Sequence, residues 1–486
     1  MLKRFFIPVL LALVIIAAAL YWVLHDKSGP HDVRTAVPVE RFTLRNGMQV
    51  LVMPNDRVPA VTHILFVRAG GGDDPYGKSG LAHFLEHLMF VGTKNYPEGT
   101  YDRAISRVGG QQNAYTTRDF TAYYATVPKE ELKHVMAMEA DRLLNVEIND
   151  HYAKRELDVI TEERNTRVEN SAASLLSEQV DALTFLNHPY GRPLIGWAED
   201  IKTFTTADAT NFFKRYYRAS NMLLVVAGDV KPSDVRRMAL EYYGPLPAGL
   251  TPQRAWPEEP PLRMVRRGAM EDDKAHEPRL MRQYSAPSVN SGATEQAMPL
   301  SLVAQYLGGG NTSILYRKLV VEQKLATAAQ AYYDPMAIGP ATFRIWAVPA
   351  AGVSLKTLEA ALDATLEEVL GNLPADADMA RAKTQLKASV IFAQDGLEPL
   401  AHLMGELVMN GKDEQYFYNW SDAVDAVRAT DMLDAMQRVL DPSRRVTGTL
   451  VPAAASPDEA MVAAQPEETE ELEPALPTTV TDGEQP

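Results

Sequence analysis

The stretch Leu81-Ala82-His83-Phe84-Leu85-Glu86-His87-Leu88 decides how this chain is read. Leu81, Phe84, Leu85 and Leu88 recur at i, i+3, i+4 and i+7, the apolar stripe of a helix that buries one side. His83 and His87, at i and i+4, stand one above the other on the opposite side, and Glu86 shares that side. The pattern therefore predicts a helix anchored by one flank and presenting two imidazoles and a carboxylate on the other. A catalytic zinc site uses imidazole ligands about 2.0–2.1 Å from the metal and keeps one position open for water. The ordinary alternative is a solvated helix face. The chain holds ten His, and no other pair has this spacing. His25, His31, His63, His134, His151, His188, His276 and His402 stand apart and read as surface or locally bonded side chains.

Two histidines do not complete a zinc site, so a third ligand is required. The chain has no Cys, which leaves Asp, Glu or a distant His. Residues 152–167 (YAKRELDVITEERNTR) read as a helix with Leu157 and Ile160 turned inward. Glu156 and Glu163 lie seven apart on one face, while Glu162 points elsewhere. A ligand at Glu163 with Glu156 behind it would combine metal binding with support for a ligand. A solvated surface is again the ordinary alternative.

The order H-x-x-E-H reverses the commoner H-E-x-x-H and marks the inverzincins. The run 80–128, GLAHFLEHLMFVGTKNYPEGTYDRAISRVGGQQNAYTTRDFTAYYATVP, resembles the family of pitrilysin, insulin-degrading enzyme and mitochondrial processing peptidase. In that family a Glu ligand follows the motif at a similar spacing; here 75 residues lie between His87 and Glu163. Glu156 falls where the family keeps a further acidic residue, and His188-Pro189-Tyr190-Gly191-Arg192-Pro193 with Gly196 also matches. The resemblance runs from about residue 38 to 450, and the length is that of the short members similar to the processing peptidase beta subunit. It implies a zinc metalloendopeptidase with one Zn2+ per chain, held by His83, His87 and Glu163. Glu156 would orient a ligand from behind. Zinc would lower the pKa of its water toward about 7 and polarise the scissile carbonyl. Glu86 would take the water proton as general base and return it to the leaving amine. The substrates would be peptides or unfolded segments.

Asn113-Ala114-Tyr115-Thr116 begins an alternating run through Phe120, Ala122 and Tyr124, which predicts a strand. By resemblance it is an edge strand that pairs with an extended substrate through Asn113, Ala114 and Tyr115. Such pairing gives affinity through main-chain bonds and loose side-chain selectivity.

A chain of 486 residues is too long for one simple core. An internal repeat divides it. The strand TAYYATVP precedes an amphipathic helix at 129–144, and FRIWAVP precedes a similar one at 354–370. Further on, Ala153-Lys154-Arg155-Glu156-Leu157 lines up with Ala382-Lys383-Thr384-Gln385-Leu386. The predicted fold is α+β, with two homologous half-domains, each a mainly antiparallel sheet with helices on one face. Arg45-Asn46-Gly47 supplies a hairpin signal. The divisions are a catalytic half at 38–250, a Pro-rich linker at 251–262 around Trp256-Pro257-Glu258-Glu259-Pro260-Pro261, and a second half at 263–452.

The second half has lost the metal site: Gln385 replaces Glu156, Phe392 replaces Glu163, and no H-x-x-E-H occurs there. The resembled family often carries an Arg and a Tyr there, or in a partner chain, that grip the substrate. The matching positions are Val320 and Thr327; Arg317, Tyr332 and Tyr333 are out of register. Gly308-Gly309-Gly310 resembles a flexible loop near the family's subunit interface. These departures predict a dimer, with a heterodimer in which a related chain supplies the grip as the leading form and a homodimer or a monomer with relaxed binding as the alternatives. A non-catalytic scaffold subunit of a membrane-associated complex is the competing reading, and the intact motif argues against it.

Hydrophobic residues make up 46% of the chain, enough for real cores, and the formal charge is −15. Nine acidic residues and no Lys or Arg lie between Pro457 and Pro486, which leaves −6 on the remainder. The tail from 453 to 486, rich in Pro, Ala and Glu, reads as disordered. No basic patch with interleaved aromatics points to nucleic acid. At the other end, Lys3 and Arg4 precede a twenty-residue uncharged run from Phe5 to Leu24, long enough to span a bilayer. The charges ahead of it place the N-terminus in the cytoplasm and the rest across the membrane. Residues 1–28 are thus an anchor, or a signal peptide cut near Ala17-Ala18-Ala19; the unbroken apolar length favours the anchor. In a Gram-negative cell, the catalytic part would be periplasmic and held at the inner membrane.

Overall fold

The computed structural model describes residues 38–453. Strands β1 (Glu40–Thr43) and β2 (Gln49–Pro54) form the hairpin predicted at Arg45-Asn46-Gly47, with Gly47 at φ 92°. Only glycine adopts that conformation without penalty. They join β3 (Ala60–Val67), β4 (Gln111–Thr116), β5 (Thr121–Pro128) and β6 (Met222–Gly228) in a sheet of order β1-β2-β6-β3-β5-β4. The second sheet takes β7 (Arg266–Asp272), β8 (Arg279–Ala286), β9 (Ala326–Tyr333), β10 (Ala341–Pro349) and β11 (Val446–Pro452) in the order β7-β11-β8-β10-β9.

Without β1, the two orders are the same. Each sheet has one parallel pair in the same place, β2 with β6 and β7 with β11, and every other pairing is antiparallel. Helices Leu132–Asn145 and Asp150–Arg164 follow β5 as Leu355–Gly371 and Asp376–Asp395 follow β10. The repeat read from the sequence is therefore a repeat of topology, and the α+β class with two like halves holds.

Successive residues of a strand face opposite sides of its sheet, and here both sides are buried. On one face of the first sheet, Val50, Val52, Leu65 and Val226 pack with Leu81, Phe84, Leu85 and Leu88 of the half's own helix Leu81–Leu88. On the other face, Leu51, Ile64, Phe66, Leu223 and Val225 meet Leu400, Ala401, Met404 and Leu407 of helix Leu397–Met409, which belongs to the second half. The exchange is reciprocal. Helix Ala172–Thr184 of the first half places Ala172, Leu176 and Val180 against Met281, Val446 and Leu450 of the second sheet. Helices on one face were expected; the cover on the other face comes from across the repeat.

The segment 251–265 contains no helix or strand, but it is tied down at several points. Arg254 donates to both oxygens of Asp73 (3.0 and 2.8 Å). The Trp256 ring lies edge-on to His188 and Tyr190. Glu259 accepts the N–H groups of Leu186, Asn187 and His188. The predicted linker is thus a strap across the first half. Gly308 ends helix Ala297–Gly308 where an added Cβ would lie 1.7 Å from the Ala331 nitrogen, so this glycine serves close packing against β9. Residues 1–28 and the acidic tail beyond Ala453 lie outside the described residues. Among the described residues no helix is long and apolar enough to cross a membrane.

Candidate metal centre

Helix Leu81–Leu88 is fixed before its polar face is used. Its apolar side is buried in the core, and two of its first N–H groups, which lack partners within a helix, are taken by one carboxylate. Asp74 accepts from Gly80 N (2.7 Å) and Ala82 N (2.8 Å). Burial pushes the Asp74 carboxyl up to about 8, the two N–H groups pulling the other way. The second wall is helix Asp150–Arg164, capped by Asn149 Oδ1 on Tyr152 N (3.1 Å). At its far end the buried Arg164 guanidinium bonds Glu178 twice (2.9 and 3.0 Å), Glu169 (2.9 Å) and the Gly196 carbonyl (2.6 Å).

These supports bring the predicted ligands together. One ligand atom from each of His83, His87 and Glu163 lies within 4.8 Å of the others. Glu163 Oε2 is 3.6 Å from His83 Nε2 and 3.2 Å from His87 Nε2. Glu156 Oε2 stands 3.5 Å from His87 Nδ1, on the far side of that ring. Arg167 Nη1 reaches Glu163 Oε1 at 2.6 Å. Glu162 faces away and meets Asn165.

The electrostatics fit a cation. Burial, with His87 beside it, holds His83 down at about 4, the neutral form a ligand needs. Burial also opposes charge on His87, but the hydrogen bonds of Glu156 and Glu163 outweigh it and raise that imidazole to about 9. The Glu163 carboxyl is held below its usual range, first by its bond to His87. Glu163 thus faces His87 Nε2 where a metal cation would otherwise satisfy both, while Glu156 holds the opposite nitrogen of the ring. Two imidazoles and a carboxylate are the donor set of a catalytic zinc site. Glu86, one turn away, is raised above its usual range by burial, against a hydrogen bond from Thr116 Oγ1 to its Oε2 at 2.6 Å.

The cleft in front of these groups has a volume of about 640 Å³ and is lined also by Asn113, Ala114, Tyr115, Thr116, Leu194 and Ile195. β4 ends the sheet, so one of its edges is unpaired. The alternating run read as a single strand is a hairpin. Thr117 closes a turn by bonding Phe120 O, and β5 returns with Asn113 opposite Tyr124. The Tyr115 ring turns away from the metal side, its hydroxyl meeting Glu406 Oε1 (2.9 Å) and His402 Nδ1 (3.0 Å) of the second half. What Tyr115 offers the cleft is therefore its backbone.

In the second half, Gln305 Nε2 donates to Gln385 Oε1 (3.0 Å) between the helices that correspond to those of His87 and Glu156. Counting back, Ser301 and Ala304 stand where His83 and Glu86 stand in the first half. An amide pair replaces the imidazole–carboxylate pair. Among the described residues, the group of His83, His87 and Glu163 alone has metal-binding geometry. None of Arg317, Val320, Thr327, Tyr332 and Tyr333 lines the cleft in front of His83, His87 and Glu163. Arg317 pairs with Asp378, and Tyr333 donates to Pro287 O. Asp74, Thr116, Arg164 and Arg167 were not foreseen as parts of the site. Only Arg164 and Arg167, adjacent to Glu163 and one turn beyond it, carried a signal in helical spacing.

The model described as Insulinase (Peptidase family M16) matches residues 50–197, and that of the Peptidase M16 inactive domain matches residues 203–386. The chain belongs to peptidase family M16. The zinc protease PqqE of Helicobacter pylori is 28% identical over 378 residues, spanning 76% of this chain and 84% of that protein. A probable mitochondrial-processing peptidase subunit beta of Schizosaccharomyces pombe is 26% identical, spanning 78% and 84%. The crystal structure of a protease from Helicobacter pylori superposes with a TM-score of 0.79 at 25% identity, over 85% of this chain and all of that one. The two M16 models meet near residue 200, inside the first half and ahead of β6, so the second model takes in the end of that half and much of the second. The second carries the word inactive in its description, and its range includes Ser301, Ala304 and Gln305, which stand in place of the motif.

Proposed function

We propose that this M16 chain is a zinc-dependent metalloendopeptidase acting on peptides and unfolded polypeptide segments. The observation that carries the reading is that His83, His87 and Glu163 converge on one point of a cleft that also holds Glu86 and the unpaired edge of β4. When bound, zinc supplies a water of lowered pKa and polarises the scissile carbonyl. His83, His87 and Glu163 hold the ion, and Glu156 fixes the His87 ring from behind. The backbone of Asn113, Ala114 and Tyr115 pairs with an extended substrate and sets it across the cleft. Glu86 accepts a proton from the attacking water and delivers it to the leaving amine.

The chain is further proposed to act with a related partner that supplies the substrate grip which Val320 and Thr327 do not. Its relatives named as a beta subunit support that reading. Residues 38–250 form the catalytic unit and 263–452 the second, and the apolar run 5–24 holds the assembly at a membrane with the catalytic part on the periplasmic side; these last assignments rest on the sequence.

The test is cleavage of a quenched, unstructured peptide by the full chain, with and without a chelator, beside Glu86→Gln. The reading requires chelator-sensitive turnover that falls about 10²-fold or more in the variant, as for loss of a general base, while bound zinc is retained. Turnover that survives both treatments refutes it. Zinc bound without turnover, restored by a related chain, selects the heterodimer.

A further inference from the structure

We propose that Thr116 is the positioning residue that aims Glu86, so that the strand which receives the substrate also sets the base. The inference rests on the reading of Glu86 as general base. Thr116 is the last residue of β4 and is buried. Its Oγ1 lies 2.6 Å from Glu86 Oε2 and 3.3 Å from Thr121 Oγ1. Thr121 Oγ1 donates to the Ala69 carbonyl at 2.9 Å. A hydroxyl has one proton to give. Because the Thr121 proton goes to Ala69, Thr121 meets Thr116 as an acceptor, and Thr116 has one proton for two acceptors. The shorter contact, to a charged oxygen, is the stronger. Thr116 therefore donates to Glu86 Oε2.

This bond settles which oxygen acts. Oε2 is held against the strand, and among the described residues nothing hydrogen-bonds Oε1. Oε1 is left to face the cleft, where it takes the water proton and gives it up again, while Oε2 keeps its donor in both protonation states. The backbone that would pair with a peptide, at Asn113, Ala114 and Tyr115, is continuous with Thr116. The strand is anchored on its far side by Tyr115 through Glu406 and His402. Substrate register and base orientation are thus fixed by one strand.

The test compares Thr116→Val, which keeps the shape and removes the donor, with Thr116→Ser, which keeps the donor. In the zinc-loaded full chain, kcat of Thr116→Val is expected to fall about tenfold to a hundredfold, part of the 10²–10⁴ that a positioned base contributes. KM and zinc content should stay within about twofold of wild type, since the bond acts on the chemical step and not on substrate binding. Thr116→Ser should recover most of the loss. An unchanged kcat in Thr116→Val, or a loss that serine does not rescue, overturns the proposal. The crystal structure of Thr116→Val is the second measurement and needs no turnover. Glu86 should leave its wild-type rotamer or populate several, and a Glu86 that stays in place refutes the role of Thr116. That result would leave the peptidase reading standing, whereas a chain inert in every form with Glu86 displaced in the variant would count against the peptidase reading alone.

Discussion

Arg164→Met would separate the fold of the site from its chemistry. Arg164 is 4% exposed and makes two bonds to Glu178, one to Glu169 and one to the Gly196 carbonyl. Glu178, itself 9% exposed, would be left as a buried carboxylate without its cation. Removing one partner of such a pair costs about 3–5 kcal/mol, because the other charge stays buried and uncompensated. The damage should also reach the metal. Arg164 follows Glu163, and Gly196 packs against the start of the His83 helix, where a Cβ on Gly80 would lie 2.4 Å from the Ile195 carbonyl. The guanidinium thus ties the carboxylate wall to the imidazole wall, and since groups bonded directly to a ligand are worth about 10–100-fold in metal affinity, this less direct support should be worth about the lower end of that range. Urea unfolding of the metal-free chain should show the loss of stability, and competition with a chromophoric chelator should show the loss of zinc affinity. The double variant Arg164→Met, Glu178→Met removes both charges and should recover most of the stability, without restoring zinc affinity. A single variant that binds zinc within about twofold of wild type would refute the coupling, since an outer support of a metal ligand is expected to matter more than that.

In the second half, Glu359 accepts from Arg267 (2.7 Å) and from the fully buried Arg282 (3.1 Å). Its carboxyl is held down at about 2, chiefly by the bond from Arg267, with burial opposing and Arg282 adding. A folded pKa below the unfolded value of about 4.3 stabilises the protein above that pH and stops doing so as pH falls toward 2. The gap in unfolding midpoint between wild type and Glu359→Gln should therefore be constant from pH 7 to 5 and shrink on further acidification, by about half at pH 3; a gap undiminished at pH 3 would contradict this. Met404→Ala, at a fully buried position between helix Leu397–Met409 and the first sheet, should cost about 2–5 kcal/mol in urea unfolding. A cost under about 1 kcal/mol would mean that the contact between halves is not packed like a core.

The parts of the site that were legible in the sequence are those set by local periodicity. His83, Glu86 and His87 share a helix face by spacing alone, and Glu156 and Glu163 share another two turns apart. The halves were legible because the order of elements repeats. The rest depends on partners far apart in the chain. Asp200 bonds Ser79 across 121 residues, and Tyr115 reaches Glu406 across 291. No period encodes such pairings. The turn between β4 and β5 is hard to place from sequence because alternation continues across Thr117–Phe120, where no Gly or Pro marks it. Helix Leu397–Met409 shows its apolar stripe plainly, but a stripe does not say which sheet it covers.

That cover explains why a half that has lost its metal site is retained. Leu51, Ile64, Phe66, Leu223 and Val225 form the back of the sheet whose front carries the His83 helix, and all are fully buried by a helix of the second half. Without that helix the back of the catalytic sheet would face water, and exposing a large apolar side chain costs about 1.5–3 kcal/mol. The same helix carries His402 and Glu406, which hold Tyr115 and with it the strand beside Glu86. Replacement of the motif by Ser301, Ala304 and Gln305 removes chemistry from the second half without touching this surface, because those positions lie on helix Ala297–Gly308 and Leu400, Met404 and Leu407 lie on another helix. The metal site was therefore free to decay in one copy, while the exchange of helices kept both copies necessary to the fold.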